Sequence, residues 1–181
     1  MRKTILTLLA LSLCGVLAAC SLFTPRRGFN RVMNDRNVQI TAQHALDTDP
    51  ELDGRAHIGS SVYNGVLLLI GEAATEQVKE RAGADVAGYD GVQRVVNLID
   101  VMPLQSVART MQDAAITAAV KTALLHVDRP GFDPGRVKVS TAHGKVYLMG
   151  LVSHAEAEAV VSVARKVAGV KQVVQVFEYT D

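Results

Sequence analysis

A pattern that recurs at a fixed offset constrains this chain more than any other feature of it. Asp35-(x2)-Val38-(x6)-Ala45-Leu46 returns 78 residues later as Asp113-(x2)-Ile116-(x6)-Ala123-Leu124. Gly65-(x5)-Gly71 returns as Gly144-(x5)-Gly150 at an offset of 79, and Gly91-Val92-Gln93-Arg94-Val95-Val96 as Gly169-Val170-Lys171-Gln172-Val173-Val174 at 78. Three anchors spread across the whole unit imply a duplication. A period of this length lets each copy be a small domain with a core of its own.

The second copy shows the plan more clearly. Asp113 reads as the cap of a helix that runs to about Leu125, with Ile116, Val120, Ala123 and Leu124 on one face. Pro130-Gly131 and Pro134-Gly135 then break the chain. Val137 to Ser140 alternates as a half-buried strand, His143-Gly144 turns it, and Val146 to Leu151 returns as the second strand of a hairpin. Ser153-His154-Ala155-Glu156 fits a capping box, in which serine and glutamate satisfy free N–H groups at a helix start. That second helix ends at Gly169, and a last strand from Val170 to Tyr179 closes the unit. A strand–helix–strand crossover makes this last strand parallel to its neighbour. The fold class is therefore α+β: two tandem αββαβ units, each a three-stranded mixed sheet with two helices on one face. The first copy repeats the order with helices at about 35–46 and 75–88 and strands at about 56–62, 66–71 and 92–101. Gly83 and Gly88 within its second helix cost about 1 kcal/mol each relative to alanine, so the second domain is expected to be the more stable.

The amino terminus sets where such a pair of domains works. Met1-Arg2-Lys3 and an apolar run from Ile5 to Ala19 form a secretory signal, shorter than the roughly 20 residues that span a bilayer. Leu17-Ala18-Ala19-Cys20 resembles the bacterial lipobox, in which the cysteine thiol is acylated and becomes the mature N-terminus. The chain then divides into a signal peptide (1–19), a lipidated N-terminus and tether (20–33), domain 1 (34–101), a linker (102–110) and domain 2 (111–181). Arg26, Arg27, Arg31 and Arg36 follow the anchor, where each charge adds about 1 kcal/mol of attraction near an anionic leaflet; a solvated linker is the alternative. Removal of Arg2 and Lys3 takes the formal charge from +1 to −1, which gives no global basic excess for nucleic acid. Cys14 leaves with the signal and Cys20 carries lipid, so no disulfide or zinc cluster follows from cysteine.

Lys145-Val146-Tyr147-Leu148-Met149-Gly150-Leu151-Val152 and Ala168-Gly169-Val170-Lys171-Gln172-Val173, inside a helix–hairpin–helix–strand unit, resemble the BON domain. Both copies carry the resemblance, which covers most of the mature chain. Two such domains behind a lipobox are similar to the dual-BON outer-membrane lipoproteins of Gram-negative bacteria. The resemblance implies a non-enzymatic protein on the periplasmic side of the outer membrane, anchored in the inner leaflet through Cys20. It also implies support of outer-membrane integrity and contact with anionic phospholipid through the first helix of domain 2. Ser21, in place of the aspartate that retains lipoproteins in the inner membrane, agrees with that sorting. The residues carried over are Asp113, Ala115, Thr117, Ala118, Lys121 and Leu125. Ala115 departs from the family's pattern, which has an aromatic near this helix start.

Catalytic chemistry has little to stand on. The five histidines, His44, His57, His126, His143 and His154, fall in separate elements without metal-ligand spacing. Ser153 is explained by capping, and no phosphate loop occurs. No cofactor or metal is expected. A competing reading makes the domains protein-interaction adaptors for an envelope assembly or secretion complex, with the lipid as the only membrane contact and exposed strand edges as the route of pairing.

Overall fold

The computed structural model describes residues 27–181; the signal, Cys20 and most of the tether lie outside the described residues. Domain 1 runs α1 (Phe29–Thr48), β1 (Ala56–Tyr63), β2 (Val66–Ala73), α2 (Glu76–Ala87), β3 (Arg94–Asn97) and β4 (Asp100–Val101). Domain 2 runs α3 (Val107–Leu124), a 3-10 turn (Pro134–Arg136), β5 (Val137–Ala142), β6 (Lys145–Val152), α4 (His154–Ala164) and β7 (Gln172–Tyr179). In domain 1, β1 pairs antiparallel with β2, and β3 and β4 pair parallel with β2. They keep one register, Val66 opposite Arg94 and Glu72 opposite Asp100, so β3 and β4 are two pieces of one interrupted edge strand. Domain 2 repeats the plan as β5-β6-β7, with β7 continuous and parallel to β6.

Both first helices begin earlier than the sequence indicates. α1 starts at Phe29, inside the tether, and α3 at Val107, inside the linker. Asp113 is therefore not a cap. It sits one and a half turns into α3, 8% exposed, and its carboxylate accepts the His143 N–H (2.8 Å) and the Gly144 N–H (2.8 Å). Asp35 does the same in domain 1, accepting from Asn64 N–H at 2.7 Å and Gly65 N–H at 2.9 Å. The hairpin turns need this help. Asn64 and Gly65 have φ of 51° and 78°, and His143 and Gly144 have 58° and 77°, which point two N–H groups away from the ladder. The repeated aspartate thus locks each hairpin to its helix.

The capping box forms as read, with Ser153 accepting from Glu156 N–H and the Glu156 carboxylate from Ser153 N–H. Gly88 is the C-cap of α2 and lies outside the helix. Gly83 is within it and has a packing reason: a Cβ there would meet Asn97 Nδ2 at 2.9 Å, and that amide donates to Lys79 O.

Alternation explains the cores. Leu67 and Leu69 of β2 face α1 and α2 in one cluster, while Val146, Leu148 and Val152 of β6 face α3 and α4 in another. The residues between them would be left open by two separate domains. Instead Tyr63, Val66, Leu68 and Ile70 pack against Ala142, Tyr147 and Met149, so the two sheets close on each other. The result is four layers, helices–sheet–sheet–helices. Every residue of β2 is buried, as a strand covered on both faces must be. The dryness of the seam pushes the Tyr147 hydroxyl pKa up to about 12, with Asp100 and Asp113 adding to the effect of burial.

Candidate functional site

α3 has two faces of different use. Asp113, Ile116, Val120 and Leu124 turn to the sheet. On the opposite side Val107, Met111 and Leu125 stand 77%, 69% and 68% exposed, with Ala115 and Ala118 also open to solvent. Spacing of four, seven and seven residues between Val107, Met111, Ala118 and Leu125 keeps them on one stripe of the helix. Exposed Lys121 stands one turn before Leu125, at the stripe's flank.

Of the residues singled out from sequence, Ala115, Ala118, Lys121 and Leu125 therefore share the outer surface. Thr117 turns to the edge of the sheet, where its hydroxyl bonds Thr141 Oγ1 at 2.7 Å. Asp113 is enclosed by the turn it holds. Val107 and Met111, the largest apolar groups of the stripe after Leu125, escape the sequence reading because residues 102–110 read as a linker and the helix as starting at Asp113. A signal for them existed. Phe29-(x3)-Met33-(x6)-Ile40 returns at offset 78 as Val107-(x3)-Met111-(x6)-Ala118, and Phe29, Met33 and Ile40 are exposed on α1. A groove of about 370 Å³ runs between the first half of α3 and the edge of the other domain's sheet, lined by Ile58, Ile70, Ala114, Thr110 and Thr141 among others.

Polar groups border the sheet seam. The His143 ring lies between Glu72 (Nε2···Oε2 2.9 Å) and Asp100 (Nδ1···Oδ2 3.1 Å), and Lys145 Nζ reaches Asp100 at 2.7 Å. Burial alone would raise the Glu72 carboxyl, but the Gln105 N–H, His57 and His143 together hold it below its ordinary value. Asp100 is likewise lowered: burial opposes, and Lys145 and His143 prevail.

At another part of the seam Lys138 of β5 crosses to domain 1. Its ammonium donates to Gln39 Oε1 (2.6 Å) and Val62 O (3.1 Å). Burial depresses its pKa, Asp35 opposes that, and Arg27, Lys121 and Arg36 depress it further. Arg27 itself is held over the Tyr63 ring at 3.6 Å and pairs with Asp35 at 2.6 Å.

The edge of β1 is closed. Gln39 donates to Ser60 O, Gln43 donates to Ile58 O and accepts from Ser60 N–H, and Lys138 takes Val62 O. An exposed edge at β1, expected from an isolated three-stranded sheet, is thus absent. β7 forms the far edge of the second sheet.

Beside His143, three further histidines have structural work. His57 contacts Glu72, His126 contacts Thr122 O, and His154 stacks on Tyr179 at 4.0 Å and reaches Asp181. Among the described residues no group of three or more His, Cys, Asp or Glu is placed to hold a metal ion, and no helix is long and apolar enough to cross a membrane.

Comparison with known proteins agrees with this architecture. The BON domain family model matches residues 34–103 and again 112–181. The chain is 31% identical over 172 residues to an outer membrane lipoprotein, DolP, of Haemophilus influenzae, covering 92% of this chain and 86% of the relative. It is 36% identical over 155 residues to a 21 kDa hemolysin of Actinobacillus pleuropneumoniae, covering 86% of this chain and 78% of that one. A C-terminal domain of CdsD, a structural protein of the type III secretion system of Chlamydia trachomatis, aligns at 18% identity and a TM-score of 0.32 over 81% of this chain and 67% of that one. With both αββαβ repeats matched, the chain belongs to the BON-domain family.

Proposed function

We propose that this protein is an outer-membrane lipoprotein, anchored by an acylated Cys20 and facing the periplasm, that supports membrane integrity by laying α3 on anionic phospholipid. It acts as a binding module and not as an enzyme. The likeness to the Haemophilus influenzae outer membrane lipoprotein over 92% of the chain supports the location. The outer stripe of α3 carries the lipid reading: Val107, Met111 and Leu125 are too exposed to serve the core, and Lys121 borders them. A helix with one face in its own core and an apolar outer stripe flanked by a cation suits the boundary between headgroups and acyl chains. Met111 supplies at that boundary the bulk that Ala115 lacks.

The test separates the helix from the anchor. Residues 21–181, which hold every described element and no cysteine, should sediment with vesicles containing phosphatidylglycerol and not with phosphatidylcholine alone. Met111→Glu should weaken that binding by about tenfold, because a charge replaces an inserted apolar group. Equal binding by the variant would remove α3 from the contact. A second reading, an adaptor for an envelope assembly complex, is favoured by β7, whose eight residues run unbroken along a sheet edge. One stoichiometric partner and no vesicle binding would favour it.

A further inference from the structure

We infer that the phosphate of the bound lipid is held at the seam between the two domains, by Arg36 of α1, Lys138 of β5 and Lys121 of α3, so that domain 1 supplies part of the site. This rests on the phospholipid reading of α3 and assigns the headgroup a place that α3 alone does not offer. Lys138 is half-buried, and its hydrogen-bond partners are neutral: an amide oxygen of Gln39 and the carbonyl of Val62. The carboxylate nearest to it in effect, Asp35, is already engaged by the Arg27 guanidinium and by the N–H groups of Asn64 and Gly65. Gln39, which accepts from Lys138, stands one turn after Arg36 on α1, and Thr117, whose hydroxyl bonds Thr141 of the strand that carries Lys138, stands one turn before Lys121 on α3. Arg36 and Lys121, one from each domain, are both exposed.

Three cations from three elements thus border this part of the seam, and among the described residues its ion pairs leave no acid for them. Such a cluster repels itself until an anion enters, and a phosphate mono- or diester has the charge and the acceptor oxygens to take donors from all three. The surroundings fit a phosphate that carries a lipid. Each exposed cation is followed one turn later by an exposed apolar side chain, Arg36 by Ile40 and Lys121 by Leu125. Both helices therefore offer a headgroup contact beside an apolar one, on either side of Lys138.

The experiment compares charge reversals in residues 21–181. Arg36→Glu and Lys121→Glu should each weaken sedimentation with phosphatidylglycerol-containing vesicles by about tenfold, while Lys166→Glu, a reversal of an exposed lysine after α4, changes it less than about twofold. Melting temperatures, measured alongside, should not fall for any of the three, because the reversed groups are exposed and reversing Arg36 or Lys121 eases their repulsion with Lys138. An Arg36→Glu variant that matches Lys166→Glu, while Lys121→Glu weakens binding, overturns the seam site and leaves α3 as the contact. Equal losses in all three reduce the effect to general attraction and overturn the site as well. Inorganic phosphate separates lipid from free anion. Displacement of vesicles by phosphate beyond chloride at matched ionic strength supports a phosphate site that lipid fills. If phosphate shifts the Lys138 side-chain resonances in the wild type and not in Arg36→Glu, yet vesicles do not bind, the seam stands and its ligand is a soluble phosphate. No shift and no vesicle binding overturns both.

Discussion

Two aspartates carry more of this fold than their number suggests. Asp35 and Asp113 each hold two N–H groups of a tight turn from inside a helix. Their recurrence at offset 78 is visible in the sequence, but their role is not. An aspartate ahead of an apolar period is the usual mark of a helix cap, and nothing local distinguishes a cap from an acceptor for a distant hairpin. Asp113→Ala should destabilise domain 2 by roughly 2–4 kcal/mol, because two enclosed donors lose their partner, whereas Asp113→Asn keeps one acceptor and should cost less. Urea titration of the two variants checks the order. Gly83 carries a similar lesson. Helix propensity marks it as a weakness, yet the space it leaves lets Asn97 reach the Lys79 carbonyl.

At the scale of elements, the order αββαβ, the hairpin turns, the capping box and the parallel last strand were all legible, since each rests on local periodicity or turn chemistry. The starts of α1 and α3 were not. Arginines, Pro25 and Gly28 before the first helix, and Pro103 before the third, resemble tether and linker, so nothing local marks Phe29–Met33 and Val107–Met111 as helical. The apolar stripe is hidden with them, since Val107 and Met111 belong to those first turns. Gln39 and Gln43 were equally silent, as a polar pair on a helix flank says nothing of the strand edge it covers. Replacing both by alanine should expose Ser60 N–H, Ser60 O and Ile58 O. An uncovered edge pairs with another chain, so Gln39→Ala/Gln43→Ala should self-associate at concentrations where the wild type stays monodisperse by light scattering.

The whole molecule is set by the seam. Runs such as Val66–Ile70 and Val146–Met149 are apolar on both alternations, which one helix-covered face does not require; the sister sheet takes the other face. That pairing follows from the two copies together and could not be read from either alone. Its rim is sensitive to acid. Glu72 and Asp100 have pKa values lowered in the folded state, so they contribute stability above their ordinary values of 4.5 and 3.8 that is lost as pH falls through the lower folded values. The melting temperature should therefore hold from neutral pH to about 5 and drop below that, and Glu72→Gln, less stable at pH 7, should show a shallower fall. Were the variant's acid profile parallel to the wild type's, the seam would not be the sensitive point.

The central claim, that α3 meets the membrane through its outer stripe, can be read directly at Met111. Residues 21–181 contain no cysteine, so Met111→Cys can carry a single environment-sensitive fluorophore, and Glu158→Cys on the exposed flank of α4 serves as the reference. On addition of vesicles containing phosphatidylglycerol, the label at 111 should shift to the blue and resist an aqueous quencher, while the label at 158 stays unchanged. Equal responses at both positions, or none at 111 with vesicles bound, would contradict the account.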